Sequence, residues 1–216
     1  MPRPRASRAL ENLARRFGFV HVAGVDEVGR GCLAGPVAAG AVILHPDRPV
    51  TGVADSKALP ASERERLFLE ITDAAVAWHV AMVDPSEIDR INIHQASFAA
   101  MRLALAGLAR QPSFVLVDGF RIPRLFIPQR AVIGGDRRST AIAAASILAK
   151  VLRDRAMVEL HGRDPRYGFD RHKGYATADH LEAVARFGYS AAHRRSFRPP
   201  SLFDTIDGQP DNGGSH

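Results

Sequence analysis

The chain has 216 residues, 46% hydrophobic and 24% charged, an ordinary globular balance that excludes global disorder. A single cysteine excludes an internal disulfide and every multi-cysteine metal site, and points to a reducing compartment, the cytoplasm. Lys and Arg number 29 against 23 Asp and Glu, and the net charge of +6 suits a polyanionic partner.

Met1 to Arg16 is Arg-rich without an apolar h-region, so no secretory signal is expected. Ser7 to Phe17 carries Leu10, Leu13, Ala14 and Phe17 at helical spacing. Val20 to Val25 and Val37 to Leu44 are β-rich runs joined through glycines. The second is also the longest apolar run, far short of the ~20 residues that span a bilayer, so no membrane association is expected. Ser62 with Glu65 reads as a capping box opening a helix through Ala74, and Val76 to Val83 reads as a strand. Asp84, Pro85 and Glu87 stand as N-cap, N1 and N3 of a helix to about Arg110, with Ile88, Ile91, Phe98, Met101 and Leu105 near one face. Phe114 to Val117 is a short strand ending in Asp118, and Ala131 to Ile133 another, with Asp136 just beyond. Ser139 or Thr140 caps an Ala-rich helix through about Leu160, whose small side chains permit close packing. Thr177 starts a last helix that stops at Gly188. Strands first, then strands alternating with helices, predict an α/β domain over residues 1–198: a mixed sheet flanked by helices, with a helical C-terminal extension. Residues 199–216 form an acidic, Gly-rich tail expected to be disordered.

Four acids sit where charge is least welcome. Asp26 and Glu27 end the first strand, Asp118 ends another, and Asp136 lies between a strand and a helix. Strand ends of an α/β sheet are where ligand crevices form. Converging carboxylates repel one another, so a stable cluster implies a cation. Oxygen donors without thiolates select Mg²⁺ or Mn²⁺ over zinc.

Asp26-Glu27-Val28-Gly29-Arg30-Gly31 follows at once. Glycines around an arginine let backbone N–H groups and a guanidinium approach a phosphate closely. The G-x-G-x-x-x-G spacing through Gly35, with a strand beginning at Pro36-Val37, rejects a dinucleotide fingerprint. Cys32 reads as a small packing residue. The nine histidines lack metal-ligand spacing and are expected on the basic surface.

These residues resemble ribonuclease HII, the type 2 ribonuclease H family. The resemblance runs from Ala23-Gly24-Val25 and the Asp26 to Gly31 motif through Asp55-Ser56-Lys57, Ile88-Asp89-Arg90-Ile91-Asn92-Ile93 and Val117-Asp118-Gly119. It continues through Ile142 to Val151, Tyr167-Gly168-Phe169, His172-Lys173-Gly174-Tyr175 and His193-Arg194-Arg195-Ser196-Phe197, covering roughly residues 20 to 198. It implies an RNase H-like fold with Asp26, Glu27, Asp118 and Asp136 as catalytic acids. Of these, Asp26, Glu27 and Asp118 would hold divalent metal. It further implies that Gly29, Arg30 and Gly31 contact the 2′-hydroxyl and phosphate of a ribonucleotide, with Tyr175 packing by its sugar. Many relatives carry lysine before the fourth acid, where this chain has Gly135.

The expected activity is hydrolysis of the phosphodiester 5′ of a ribonucleotide, in RNA–DNA hybrids or at single ribonucleotides in duplex DNA. A monomer acting in ribonucleotide removal and DNA repair follows from the same resemblance. A non-catalytic hybrid-binding module on the same fold would need one acid replaced, and a metal-dependent DNA nuclease would have no use for a 2′-hydroxyl-reading loop. Ser201-Leu202-Phe203 in the tail resembles the end of the peptide by which bacterial replication proteins dock on the sliding clamp, with Pro199 where the usual glutamine stands. Leu202 and Phe203 either pack on the parent domain or dock weakly on that clamp.

Overall fold

The computed structural model describes residues 6–53, 56 and 59–197. Asp55, Lys57, Leu202 and Phe203 lie outside the described residues, as does the whole tail. The elements in chain order are α1 (Ala9–Arg16), β1 (Val22–Val28), β2 (Val37–Leu44), α2 (Ala61–Ala74), β3 (Ala75–Val83), α3 (Pro85–Ile91) and α4 (Ile93–Ala106). There follow β4 (Phe114–Asp118), β5 (Gln129–Val132), α5 (Thr140–Arg163), α6 (Phe169–His172) and α7 (Ala178–Phe187). The five strands form one mixed sheet in the order β3-β2-β1-β4-β5. β1 pairs antiparallel with β2 and parallel with β4, so the sheet changes direction at its central strand.

Alternation along β1 decides which face each residue meets. Ala23 and Val25 join α4 in one core, with Ala100, Met101 and Leu105 against them. Gly24 faces the other way, toward α5, where a Cβ would lie 2.1 Å from the Ala141 carbonyl carbon. Gly40 on β2 meets the same helix, a Cβ there falling 2.3 Å from Ala145 O. Two glycines in the sheet and a run of alanines in α5 thus allow backbone-to-backbone packing, as the composition of that helix predicts.

Three local expectations are corrected. The helix after Asp84 does not run unbroken to Arg110: it breaks at Asn92 and ends at Ala106. Asn92 takes φ 67° and ψ 162°, a region that costs about 1–3 kcal/mol for a side-chain-bearing residue. Its side chain offsets this by capping α4, accepting the Gln95 N–H at 3.1 Å. Asp84 itself makes no side-chain cap. Helix α2 starts two residues early, behind Pro60, so Ser62 and Glu65 form no capping box; Glu65 pairs with Arg155 at 2.5 Å instead. Strand β1 extends to Val28, carrying Asp26 and Glu27 inside the sheet.

Helix α5 is capped twice. Ser139 Oγ accepts the Ile142 N–H at 3.2 Å, while Glu11, buried on α1, accepts the Ala141 N–H at 2.7 Å and the Ser139 hydroxyl at 2.8 Å. A carboxylate at this end also suits the helix dipole. Among the described residues no helix is long and apolar enough to cross a membrane.

Candidate active site

The register of β1 and β4 brings the first three acids together. Val25 pairs with Val117, so the next residues of the two parallel strands are Asp26 and Asp118. Asp26 follows Gly24 in pointing toward α5, while Glu27 turns to the α4 side. Its carboxylate shares a cavity of about 120 Å³ with Arg30, His94, Asp118 and Phe120.

Asp26 is buried, and its carboxyl is pushed well above the usual range, first by burial and then by Glu27 and Asp118. The Ser146 hydroxyl on α5 and the Glu27 N–H, which donates to Asp26 Oδ1 at 2.8 Å, work against that rise. Ser146 is itself paired with Ser56 at 2.9 Å, which gives the Asp55-Ser56-Lys57 motif one visible contact with the site. Glu27 is also raised, chiefly by burial, with Asp118 adding to the rise; Arg30, 3.1 Å from its Oε1, opposes it. Asp118 Oδ1 accepts the Gly135 N–H at 2.6 Å.

Asp136 stands in the short 3₁₀ turn Gly135–Arg137, its carboxylate 3.9 Å from Arg137 Nε. The preceding residue therefore touches Asp118, and the arginine after the acid stands near it. A side chain at 135 would have little room, because a Cβ falls 2.6 Å from Ile142 Cδ1 and 3.1 Å from Asp118 Oδ1.

Oxygen donors, burial and mutual repulsion fit a hard divalent cation. Among the described residues no three acids or histidines form a ready-made cage. Magnesium in particular is usually held by one or two carboxylates plus substrate phosphate oxygens and waters.

The glycine loop borders this cluster. Gly29 has φ +89°, and Gly31, with an ordinary φ, has nothing within 4 Å of where a Cβ would stand. Arg30 lies between Glu27 and His94, whose Nδ1 is 3.1 Å from Nη2. Gly174 O accepts the Leu33 N–H at 2.8 Å, which draws Tyr175 to the same side. The Tyr175 ring is 39% exposed, with Lys150 Nζ 5.9 Å from its centroid. It borders a wider hollow of about 800 Å³ lined also by Lys150, Arg155, Arg171 and Lys173. Glu65, Asp154 and Glu159 line it as well, and none of Asp26, Glu27, Asp118 and Asp136 does.

The histidines are not all at the surface. His180 and His193 are buried, their Nε2 atoms 3.0 Å apart, and His172 stacks on His180. His193 Nδ1 accepts the Ser190 N–H at 3.0 Å, so its Nε2 carries the proton and donates to His180. His180 Nδ1 in turn donates to Tyr175 O at 2.8 Å. Every ring proton is thus committed with both rings neutral. Burial lowers both pKa values, that of His193 to about 4. Cys32 is buried, in keeping with a packing role.

Ser146, His94, Phe120 and the buried histidines escape a reading of the sequence alone. For Ser146 the signal is a hydroxyl inside an alanine run; for Phe120 it is a large aromatic just after Asp118-Gly119, 72% exposed in the structure.

A mixed five-stranded sheet with this order and these flanking helices is a ribonuclease H-type fold. Ribonuclease H2 from Pyrococcus horikoshii matches it with a TM-score of 0.70 at 26% identity, over 86% of this chain and 96% of that one. The ribonuclease HII solved in a complex with PCNA from Archaeoglobus fulgidus matches with a TM-score of 0.67 at 27% identity, over 86% of this chain and all of that one (100%). The family model of ribonuclease HII matches residues 23–199. Ribonuclease HII of Xanthomonas axonopodis pv. citri is 53% identical over 183 residues, 84% of this chain and 75% of the relative. The chain belongs to the ribonuclease HII family, and it is a divalent-metal-dependent endoribonuclease acting on RNA–DNA hybrids.

Proposed function

We propose that the chain cuts the phosphodiester 5′ of a ribonucleotide, in hybrids and at single ribonucleotides embedded in duplex DNA, leaving 3′-hydroxyl and 5′-phosphate ends. The observation that carries this reading is the meeting of Asp26, Glu27 and Asp118 just past Val25 and Val117, the last paired residues of the two parallel strands, beside the Gly29-Arg30-Gly31 loop. In it, Asp26, Glu27 and Asp118 hold the divalent ion, Mg²⁺ or Mn²⁺, and Asp136 completes the site or orients the attacking water. When bound, such an ion lowers the pKa of water and neutralises charge on the phosphate. The raised carboxyls of Asp26 and Glu27 favour uptake of a cation that relieves their repulsion.

Recognition falls to the loop. Backbone N–H groups of Gly29, Arg30 and Gly31 face the 2′-hydroxyl and phosphate, Tyr175 packs on the sugar, and the 2′-hydroxyl separates RNA from DNA. Arg30 supplies a guanidinium for phosphate once Glu27 turns to the metal. The surrounding lysines and arginines hold the duplex without reading its sequence. Its place is the cytoplasm, as a monomer in ribonucleotide removal from DNA. Docking on a sliding clamp through Leu202 and Phe203 is the finer reading of the tail, supported by a relative solved with PCNA.

Incubating the protein with a duplex holding one ribonucleotide, in Mg²⁺, Mn²⁺ or EDTA, tests the central reading. One cut 5′ of the ribonucleotide, abolished by EDTA, is expected; binding without cleavage would leave a hybrid-binding module, and cutting of all-DNA duplex would leave a DNA nuclease. Fluorescence anisotropy of an Arg198–His216 peptide against the clamp tests the tail, and no binding at high micromolar clamp would discard it.

A further inference from the structure

Two of the sequence motifs have no role in the site as described: Ile88-Asp89-Arg90-Ile91-Asn92 and His193-Arg194-Arg195-Ser196-Phe197. The structure joins them. Asp89 on α3 accepts the Arg195 N–H at 2.8 Å, the Ser196 N–H at 2.9 Å and the Ser196 hydroxyl at 2.5 Å. These three bonds pin the segment after α7 onto α3. The residue just before them, Arg194, turns inward and is fully buried.

Its guanidinium donates to backbone carbonyls of the glycine loop: Nη2 to Gly29 O at 2.7 Å, Nη1 to Arg30 O at 2.9 Å and Nε to Gly35 O at 3.0 Å. The Arg194 N–H donates to Leu33 O at 2.8 Å. Arg153 from α5 holds the next stretch, donating to Pro36 O at 2.8 Å and Ala34 O at 3.2 Å. A third bond from Arg153, at 3.0 Å, reaches Lys173 O two residues before Tyr175. Burial lowers Arg194 to about 10, so it remains a cation at neutral pH.

A peptide unit is planar and trans, so its N–H points opposite to its C=O. Fixing the Gly29 carbonyl therefore fixes the Arg30 N–H, and fixing the Arg30 carbonyl fixes the Gly31 N–H. A cation on the carbonyl side also polarises each amide, which strengthens its N–H as a donor. A lysine could not reproduce this, because its ammonium is a point charge rather than a fork.

We propose that Arg194 is a positioning residue, held in place by Asp89, that aims the Arg30 and Gly31 N–H groups at the ribonucleotide from behind. This rests on the assignment of the loop to the ribose and phosphate. It gives both motifs a physical role and makes the segment after α7 part of substrate recognition without touching substrate.

The test uses the full chain with Asp89→Ala and Arg194→Lys, following kcat and KM on a duplex with one ribonucleotide, hydrogen exchange by peptide, and thermal melting. Asp89→Ala is expected to melt within a few degrees of the wild type while peptides covering residues 29–33 exchange faster than before. Its kcat should fall about 10-fold and that of Arg194→Lys about 100-fold, the scale of an ångström-sized misplacement. Should Arg194→Lys fail to fold, Asp89→Ala alone decides. Unchanged loop exchange in Asp89→Ala would overturn the placement by Arg194. Equal acceleration of exchange in β1 and α5 would overturn it too, in favour of general stability. Faster loop exchange with undiminished cleavage would instead overturn the assignment of the loop to the ribose.

Discussion

Asp118 and Gly135 are joined by a 2.6 Å hydrogen bond in which the glycine N–H donates to the carboxylate Oδ1. An asparagine at 118 keeps this acceptor and the volume and removes only the charge. Asp118→Asn should therefore fold normally and melt at the same temperature or higher, since the repulsion felt by Asp26 and Glu27 is relieved. Cleavage in Mg²⁺ should fall by about 100-fold or more, because the proposed metal site loses a ligand charge. Single-turnover kinetics beside a thermal melt check both halves, and near wild-type turnover would remove Asp118 from the ligand set.

Asp26 shows the sign of the same effect. Its folded carboxyl holds a proton more tightly than the unfolded chain does, so its contribution to stability is full below the unfolded pKa and is lost as pH rises through the folded one. At neutral pH in EDTA, Asp26→Asn should melt a few degrees above the wild type. Adding Mg²⁺ or Mn²⁺ should then raise the wild type more than the variant, by mass action on the folded state. Equal stabilisation of the two would exclude Asp26 as a ligand.

Gly29 and Gly31 separate folding from recognition. A Cβ at Gly29 would lie 2.1 Å from Arg153 Nε, at φ +89°, so Gly29→Ala should lower the melting temperature. Gly31 has open space, so Gly31→Val should leave melting nearly unchanged and still damage cleavage at an embedded ribonucleotide. Undamaged cleavage by a folded Gly31→Val protein would show that the sugar does not approach this position.

Tyr175 is partly exposed, with Lys150 over its ring and its hydroxyl in contact with Cys32. If the ring packs on the sugar, Tyr175→Phe should retain most of kcat/KM and Tyr175→Ala should lose about 10-fold more, the scale of one aromatic stacking contact. Equal losses would assign the role to the hydroxyl.

The buried histidine pair sets an acid limit. His193 titrates near 4 when folded and near its ordinary value of about 6.5 when unfolded, so the unfolded chain binds more protons between these values. Stability is full above about pH 6.5 and is lost as pH falls toward 4, by roughly 2–3 kcal/mol for a shift of this size. Replacing His193 with glutamine should flatten that slope in urea melts between pH 4 and 7. An unchanged slope would place the acid limit elsewhere.

The strands were legible in the sequence, and so was the place of Asp118, because a carboxylate after an apolar run such as Phe114 to Val117 is costly unless it ends the strand. The Ala-rich stretch of α5 likewise announced close packing, which Gly24 and Gly40 complete. The break at Asn92 was hidden, because its cap exists only once the chain has turned. Histidine patterning was misleading for a related reason: His180 and His193 are tolerable in the interior only through each other and the Tyr175 and Ser190 backbone. Arg194 was visible as a letter in a motif, but its partner Gly29 lies 165 residues away, beyond any local pattern.

The close seating of α5 on Gly24 and Gly40 makes that helix a length standard. Ser146 and Arg153 stand two turns apart on it, about 10 Å at 1.5 Å per residue, one near Asp26 and the other under the glycine loop. With alanine backbone locked over two strands, the helix has no freedom to slide and absorb an error in that spacing. One residue inserted between them would swing Arg153 about 100° around the axis and lengthen the gauge by a step. The distance between Asp26 and the Gly29-Arg30-Gly31 loop is thus written into a count of residues, and only changes that preserve the count can be neutral.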